Sequence, residues 1–192
     1  LGLYEIVSNI VDFQLSATIA ASIPGDVEKD AYFGIVGQVT SILSLIIQLF
    51  FTSYVMKRFG VGVALLFLPI AITFGSIGFL FAPILIFATI MSVSDNSLNY
   101  SINQSAKEAL YTPTNRDVKY KAKAFIDMFV QRFAKVLAVI LNLAVAAWIG
   151  LENVQWLTIA TLIIMVFWIM LVLYAGREFR KKTKNESSAA VF

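Results

Sequence analysis

Residues Val61 to Phe81 run for a full bilayer width without one charged side chain. A helix needs about 20 mostly apolar residues to cross the hydrocarbon core. With no water there to satisfy backbone polar groups, only helices and closed barrels can span it. Long apolar runs without strict alternation point to helices. Five other stretches qualify, so the sequence predicts six spans, over 3–22, 31–56, 61–81, 84–106, 124–149 and 153–175. Composition agrees: 59% of residues are hydrophobic and 14% charged, against about a quarter charged in a soluble domain. The expectation is an all-α membrane protein, with a six-helix transmembrane domain over 1–176 and a basic cytoplasmic tail over 177–192.

Two absences narrow the chemistry. The chain has no cysteine and no histidine. That excludes disulfides, thiolate chemistry, a Ser-His-Asp triad, the usual zinc and haem sites, and any His-based proton relay. No Gly-rich phosphate loop or metal-ligand cluster is evident. An enzyme is therefore not expected, nor a metal or cofactor. No secretory signal pattern opens the chain. The first residue is Leu, which suggests a fragment or a processed product.

The net charge is +3, but the basic residues fall outside the apolar runs. They report topology rather than a nucleic-acid partner. Twelve of the fifteen Lys and Arg lie after the second span, after the fourth span and in the tail. The connector 22–30 carries Asp26, Glu28 and Asp30 against Lys29. Positive charge stays cytoplasmic. Both ends should then be cytoplasmic, in a bacterial inner membrane or an organelle inner membrane.

Polar groups inside a bilayer face other helices or water. At about 100° per residue, span 1 places Glu5, Asn9, Asp12 and Ser16 on one stripe. Span 2 places Gln38, Ser41, Ser44, Gln48 and Thr52 together. Span 4 aligns Ser92, Asp95, Asn96, Asn99, Asn103 and Lys107, and span 5 aligns Lys123, Asp127, Gln131, Lys135 and Asn142. Spans 3 and 6 have no stripe. The order is polar, semi-polar, apolar, repeated once. Period three fits a 3+3 inverted repeat, like one half of a major facilitator transporter. In that layout spans 1 and 4 are central, and spans 3 and 6 face lipid. The plain alternative is a six-helix bundle whose polar stripes only join helices.

The cavity candidates are Glu5, Asn9, Asp12, Asp95, Asn96, Asn99 and Asn103. A gate or anion-attracting rim would use Glu108, Lys119, Lys121, Lys123, Asp127, Arg132 and Lys135. Topology and snorkelling also account for two or more of the lysines. Lys123 and Asp127, at i and i+4, could form an ion pair; for the span 5 charges Asp127, Arg132 and Lys135 the alternative to a functional site is an interhelical gate pair with Asp95 or Glu108. Arg132 and Lys135 are the cations expected inside the membrane.

The stretch from Asn103 to Asp127 is distinctive. Its Glu108, Tyr111, Pro113, Lys119, Lys121, Lys123 and Asp127 resemble a run found in the ATP/ADP translocase family of plastids and intracellular bacteria. In that family the run lies between the tenth and eleventh helices. Gln48-Leu-Phe-Phe and Lys57-Arg-Phe-Gly-Val-Gly are weaker matches. The resemblance implies the C-terminal half of a twelve-helix, major-facilitator-like transporter, exchanging nucleotides or other organic anions by alternating access. Six helices make half a cavity. A missing N-terminal half or a partner membrane subunit is therefore implied, besides the lipid bilayer. The alternative is a non-transporting subunit or scaffold in a larger membrane complex.

The topology is directly testable in this cysteine-free chain. Glu28→Cys should react with an impermeant thiol reagent from outside, and Ser188→Cys only from the cytoplasmic side. The reverse pattern would invert the assignment.

Overall fold

The computed structural model describes residues 1–112, 116–148 and 150–189, with side chains at 116–119, 151–152 and 182–189 left aside. Among the described residues the chain is all helix. Six helices follow one another: α1 (Gly2–Ser22), α2 (Asp26–Phe59), α3 (Val61–Phe81), α4 (85–110), α5 (116–148) and α6 (151–189). The 3–10 turn Leu151–Trp156 opens α6, which continues as α-helix to Ala189. Four of the helices, over Asp26–Phe59, Val61–Phe81, Tyr120–Trp148 and Asn153–Lys181, are long and apolar enough to cross a membrane. The protein is an integral membrane protein. Helices α1 and α4 carry the densest polar stripes.

The breaks between helices follow from local chemistry. Ile23 before Pro24 and Ala82 before Pro83 are both extended, because proline disfavours helix at the residue before it. Gly60, at φ +81°, ends α2, and Gly150, at φ +85°, precedes α6; both dihedrals lie where only glycine sits without strain. Inside α3 the α-helix is interrupted at Leu65–Leu66, four and three residues before Pro69, which cannot donate to the carbonyl of Leu65. Among the described residues three π-helical turns interrupt the long helices, at Ile47–Thr52, Asn99–Asn103 and Ile126–Val130. In the first of these, Thr52 Oγ1 donates to the Ile47 carbonyl at 3.1 Å. The turns of α2 and α4 pack against each other.

Helix α1 is at the centre. It packs on α4, α5 and α6, while α4 also packs on α2 and α3. Val7, Ile10 and Val11 of α1 are fully enclosed, as are Ile72 and Phe79 of α3 and Met91 of α4. Helices α3 and α6 close the back of the bundle. A Cβ on Gly62 would stand 3.1 Å from the Gly176 Cα, so the two backbones touch there.

Spans 3 and 6, expected to face lipid or a foreign partner for want of a polar stripe, have two sides: Phe74 and Phe81 in α3 and Ile163 and Phe167 in α6 point outward, while Leu68, Ile72 and Phe79 in α3 and Leu157, Met165 and Trp168 in α6 are buried inside the bundle. A helix apolar all round suits a protein interior as well as lipid. The least covered helices are α2 and α5. Only Val36 is buried in Asp26–Ile46, and α5 turns Phe129, Phe133, Val136 and Ile140 outward.

Replacing Gly176 by Leu should force α6 off α3. The expected cost is about 1–3 kcal/mol of overpacking, read as a lower thermal midpoint in detergent. An unchanged midpoint would show that the two backbones are not in contact.

Candidate functional site

The site grows from α1, whose polar residues each find a different neighbour. Ser8 Oγ donates to Asp95 Oδ2 at 2.6 Å. One turn on, Ser92 Oγ donates to Asp12 Oδ1 at 3.2 Å. Asn96 Nδ2 donates to the Ser92 carbonyl at 3.1 Å. These bonds make a polar seam between α1 and α4. Toward α5, Lys135 Nζ lies 3.5 Å from Glu5 Oε2, and Asn142 Nδ2 donates to the Asn9 carbonyl at 3.2 Å. Toward α6, Gln14 Nε2 donates to the Val154 carbonyl at 3.0 Å and to Thr158 Oγ1 at 2.9 Å.

Lower on α4, Asn99, Asn103 and Lys107 form a ladder at i, i+4 and i+8. Asn99 Oδ1 accepts from Asn103 Nδ2 at 2.8 Å and from Lys107 Nζ at 3.1 Å. The Lys107 ammonium also lies 4.9 Å from the centre of the Tyr4 ring, a cation–π distance. Lys107 is thus a cation inside the bundle.

Two cavities border these groups. One, of about 400 Å³, opens on the face shared by α1, α2 and α4. Asp12, Ser16, Ser41, Ser92, Asn96 and Tyr100 give it polar walls. The larger, of about 850 Å³, is a mostly apolar crevice between α1, α4, α5 and α6, with Tyr4, Asn103, Lys107 and Tyr111 as its polar residues. The carboxylates Asp12 and Asp95 do not line this larger crevice.

The cavity candidates separate into three environments. Asp12 and Asn96 line the smaller cavity. Asp95 is enclosed in the seam behind it, and Glu5 is buried against Lys135. Asn99 and Asn103 belong to the Lys107 ladder, with Asn103 on the apolar crevice. Asn9, half-buried, bonds the Glu5 carbonyl at 2.7 Å.

The rim candidates scatter. Lys123 Nζ meets Glu108 Oε1 at 2.5 Å, bridging the link between α4 and α5. Asp127 is not the partner of Lys123; it is exposed and accepts from Gln131 Nε2 at 3.4 Å. Sequence spacing exposes an i,i+4 pair but not one fifteen residues apart across a link. Lys121 and Arg132 are exposed. Pro113 and the Lys119 side chain lie outside the described residues. Burial at this end, with the Asp127 carboxylate nearby, holds the Tyr111 hydroxyl above its usual range, so Tyr111 is a neutral donor.

Sequence reasoning missed Lys107 as an interior cation, and Tyr4, Ser8 and Gln14 as partners. The signal for Lys107 was present: it continues the Asn99 and Asn103 stripe at the helical interval. The apolar run stops just before it, so the same residue also counts among the charges that follow span 4.

A family model described as TLC ATP/ADP transporter matches residues 80–179, a little over half of the chain. ADP,ATP carrier protein 1 of Chlamydia muridarum is 23% identical over 154 residues, covering 69% of this chain and 29% of the relative. ADP,ATP carrier protein 2, chloroplastic, of Arabidopsis thaliana is 26% identical over 152 residues, covering 69% and 24%. ADP,ATP carrier protein 1 of Chlamydia pneumoniae is 22% identical over 192 residues, covering 87% and 37%. The chain therefore spans between about a quarter and somewhat over a third of the length of these curated relatives. No solved structure matches it.

The Glu108–Lys123 pair is half-exposed, so its worth is modest. A double-mutant cycle with Glu108→Gln and Lys123→Met should give a coupling of about 0.2–1 kcal/mol that shrinks with added salt. Coupling well above that range, or insensitive to salt, would mean that the pair is shielded from solvent.

Proposed function

The chain belongs to the TLC ATP/ADP transporter family, and from that premise we propose that it forms half of a membrane transporter for organic anions, nucleotides among them. The observation that carries this reading is the cavity between α1, α2 and α4. Its walls combine Asp12, Ser16, Ser41, Ser92 and Asn96 within an otherwise apolar bundle. Polar side chains at such depth are costly to keep for packing alone. Hydroxyl and amide groups in a cleft suit the hydrogen-bonding edges of a polar solute.

The packing supports the 3+3 inverted repeat. Helix α1 packs on α5 and α6 as α4 packs on α2 and α3, while α1 meets α4 and α3 meets α6. Exchanging α1 with α4, α2 with α5 and α3 with α6 maps that set of contacts onto itself. The uncovered faces of α2 and α5 then suit a second six-helix half, supplied by a preceding segment or by a partner subunit. With both termini cytoplasmic, the Lys107 ladder and the Glu108–Lys123 bridge lie toward the cytoplasmic mouth. Lys107 brings positive charge to the larger crevice on the other side of α1.

The test is uptake of radiolabelled ATP against internal ADP in proteoliposomes. Asp12→Asn and Asn96→Ala should each lower the uptake rate at least tenfold, about 1.4 kcal/mol of lost stabilisation, while the protein stays folded by gel filtration. Arg132→Gln, on the outer face, should change it little. Equal activity in all three variants would remove this cavity from the transport path. A complex that purifies with the protein and shows no solute uptake would favour the scaffold role.

A further inference from the structure

Asp95 is the most enclosed charged residue of the described chain. Its side chain is 0% exposed, and it lies ten residues into α4, about 15 Å along the axis at 1.5 Å per residue. Oδ2 takes the hydroxyl of Ser8 at 2.6 Å. Oδ1 is buried and has no hydrogen-bond partner. The four ion pairs among the described residues leave Asp95 out.

Of the groups around it, the Ser8 hydroxyl and Lys107 favour a negative charge, while burial and two carboxyls oppose it. Tyr4, Glu5 and Asp12 face it from α1; the two carboxyls repel an anion, and Glu5 is held by Lys135 of α5. Lys107, three turns further along α4, is engaged by Asn99 and the Tyr4 ring. Tyr32 of α2 is bonded to Thr89 at 2.7 Å. Helix α3 offers no titratable residue over 61–81. Because α1 and α4 themselves enclose the carboxyl, an outside cation could reach it only by parting them. A metal ion would need several more oxygens than the one hydroxyl present. An isolated carboxylate in such a place is replaced by its neutral acid.

We propose that Asp95 is a proton-binding site, carrying a proton on Oδ2 while α1 and α4 are closed, and releasing it to water when they part. In the neutral acid the 2.6 Å contact runs from Asp95 Oδ2 to Ser8 Oγ, and Oδ1 remains as a carbonyl oxygen, the form that loses least without a partner. One proton enters from the aqueous side and one leaves to it, so the step needs no co-reactant. Asp12, exposed on the cavity side of the same seam, is the nearer group to water. Protonation thus becomes linked to opening of the seam. The link to transport rests on the transporter reading; the proton site itself does not.

Infrared spectroscopy of the purified protein tests the site directly. At neutral pH the wild type should show the carbonyl band of a protonated carboxylic acid, retained in Asp12→Asn and lost in Asp95→Asn. Identical bands in wild type and Asp95→Asn would overturn the proposal, and neither result needs a working transporter. In proteoliposomes, an external acid pulse should accelerate radiolabelled ATP uptake in the wild type, and that response should vanish in Asp95→Asn. An equal response in both would overturn the coupling. If no preparation takes up ATP, the transporter reading fails, and the infrared result alone decides the proton site.

Discussion

The polar seam between α1 and α4 governs the arrangement of the other helices. Placing an aspartate at the centre of a membrane helix costs about 2.5–3.5 kcal/mol on insertion scales. Helices α1 and α4 bring Asp12 and Asp95 to one seam, where Ser92 and Ser8 meet them. Neither helix can turn these faces to lipid, so each must be sheathed. The sheath is also specified by polar contacts. Gln14 ties α1 to α6, Lys135 and Asn142 tie it to α5, and Tyr32 ties α2 to α4 through Thr89. The hydrophobic effect supplies little preference between helices in lipid. Directed bonds of this kind therefore select which helix lies beside which.

The apolar helices solve a different problem. Gly62 and Gly176 let α3 and α6 meet backbone to backbone, the close approach that small residues permit in membranes. That contact closes the back of the bundle without polar groups. The opposite side stays open, with α2 and α5 presenting broad apolar faces. The chain covers 24–37% of the length of the carrier proteins compared with it.

Much of this was legible in the sequence because the bilayer writes strong signals. The charge-free run from Val61 to Phe81 and the stripes on spans 1 and 4 are consequences of helical periodicity, and the helices fall where those signals put them. What was not legible depends on long-range geometry. An apolar surface does not say whether lipid or protein covers it, so the inward faces of α3 and α6 were invisible. Lys123 displayed a local partner in Asp127, yet bonds Glu108 from the preceding helix. Lys107 sat at the edge of an apolar run, where a composition window ends but a helix does not. The likeness of 103–127 to a transporter run marked a region, but not the division of labour inside it. Glu108 and Lys123 bridge a link, Tyr111 lines a crevice, and Asp127 faces out.

The two sides of the bundle differ in how much movement they tolerate. At Gly62 and Gly176 the backbones are already in contact, and close-packed interiors transmit displacement rather than absorb it. At the α1–α4 seam the contacts are side-chain hydrogen bonds to carboxyl groups, beside a cavity of about 400 Å³ with polar walls. Such bonds are worth about 0.5–1.5 kcal/mol net when the carboxyl is neutral and about 1.5–3 kcal/mol when it is charged, and water can replace them. The π-helical turns also fall in the front helices: Ile47–Thr52 in α2, Asn99–Asn103 in α4 and Ile126–Val130 in α5. π-Helical turns recur at functional sites, and here the first two lie against each other. A rigid back and an exchangeable front give the bundle one preferred place to open. It is the seam that holds the enclosed Asp95 and the exposed Asp12, so a change in the charge of either acts on that contact.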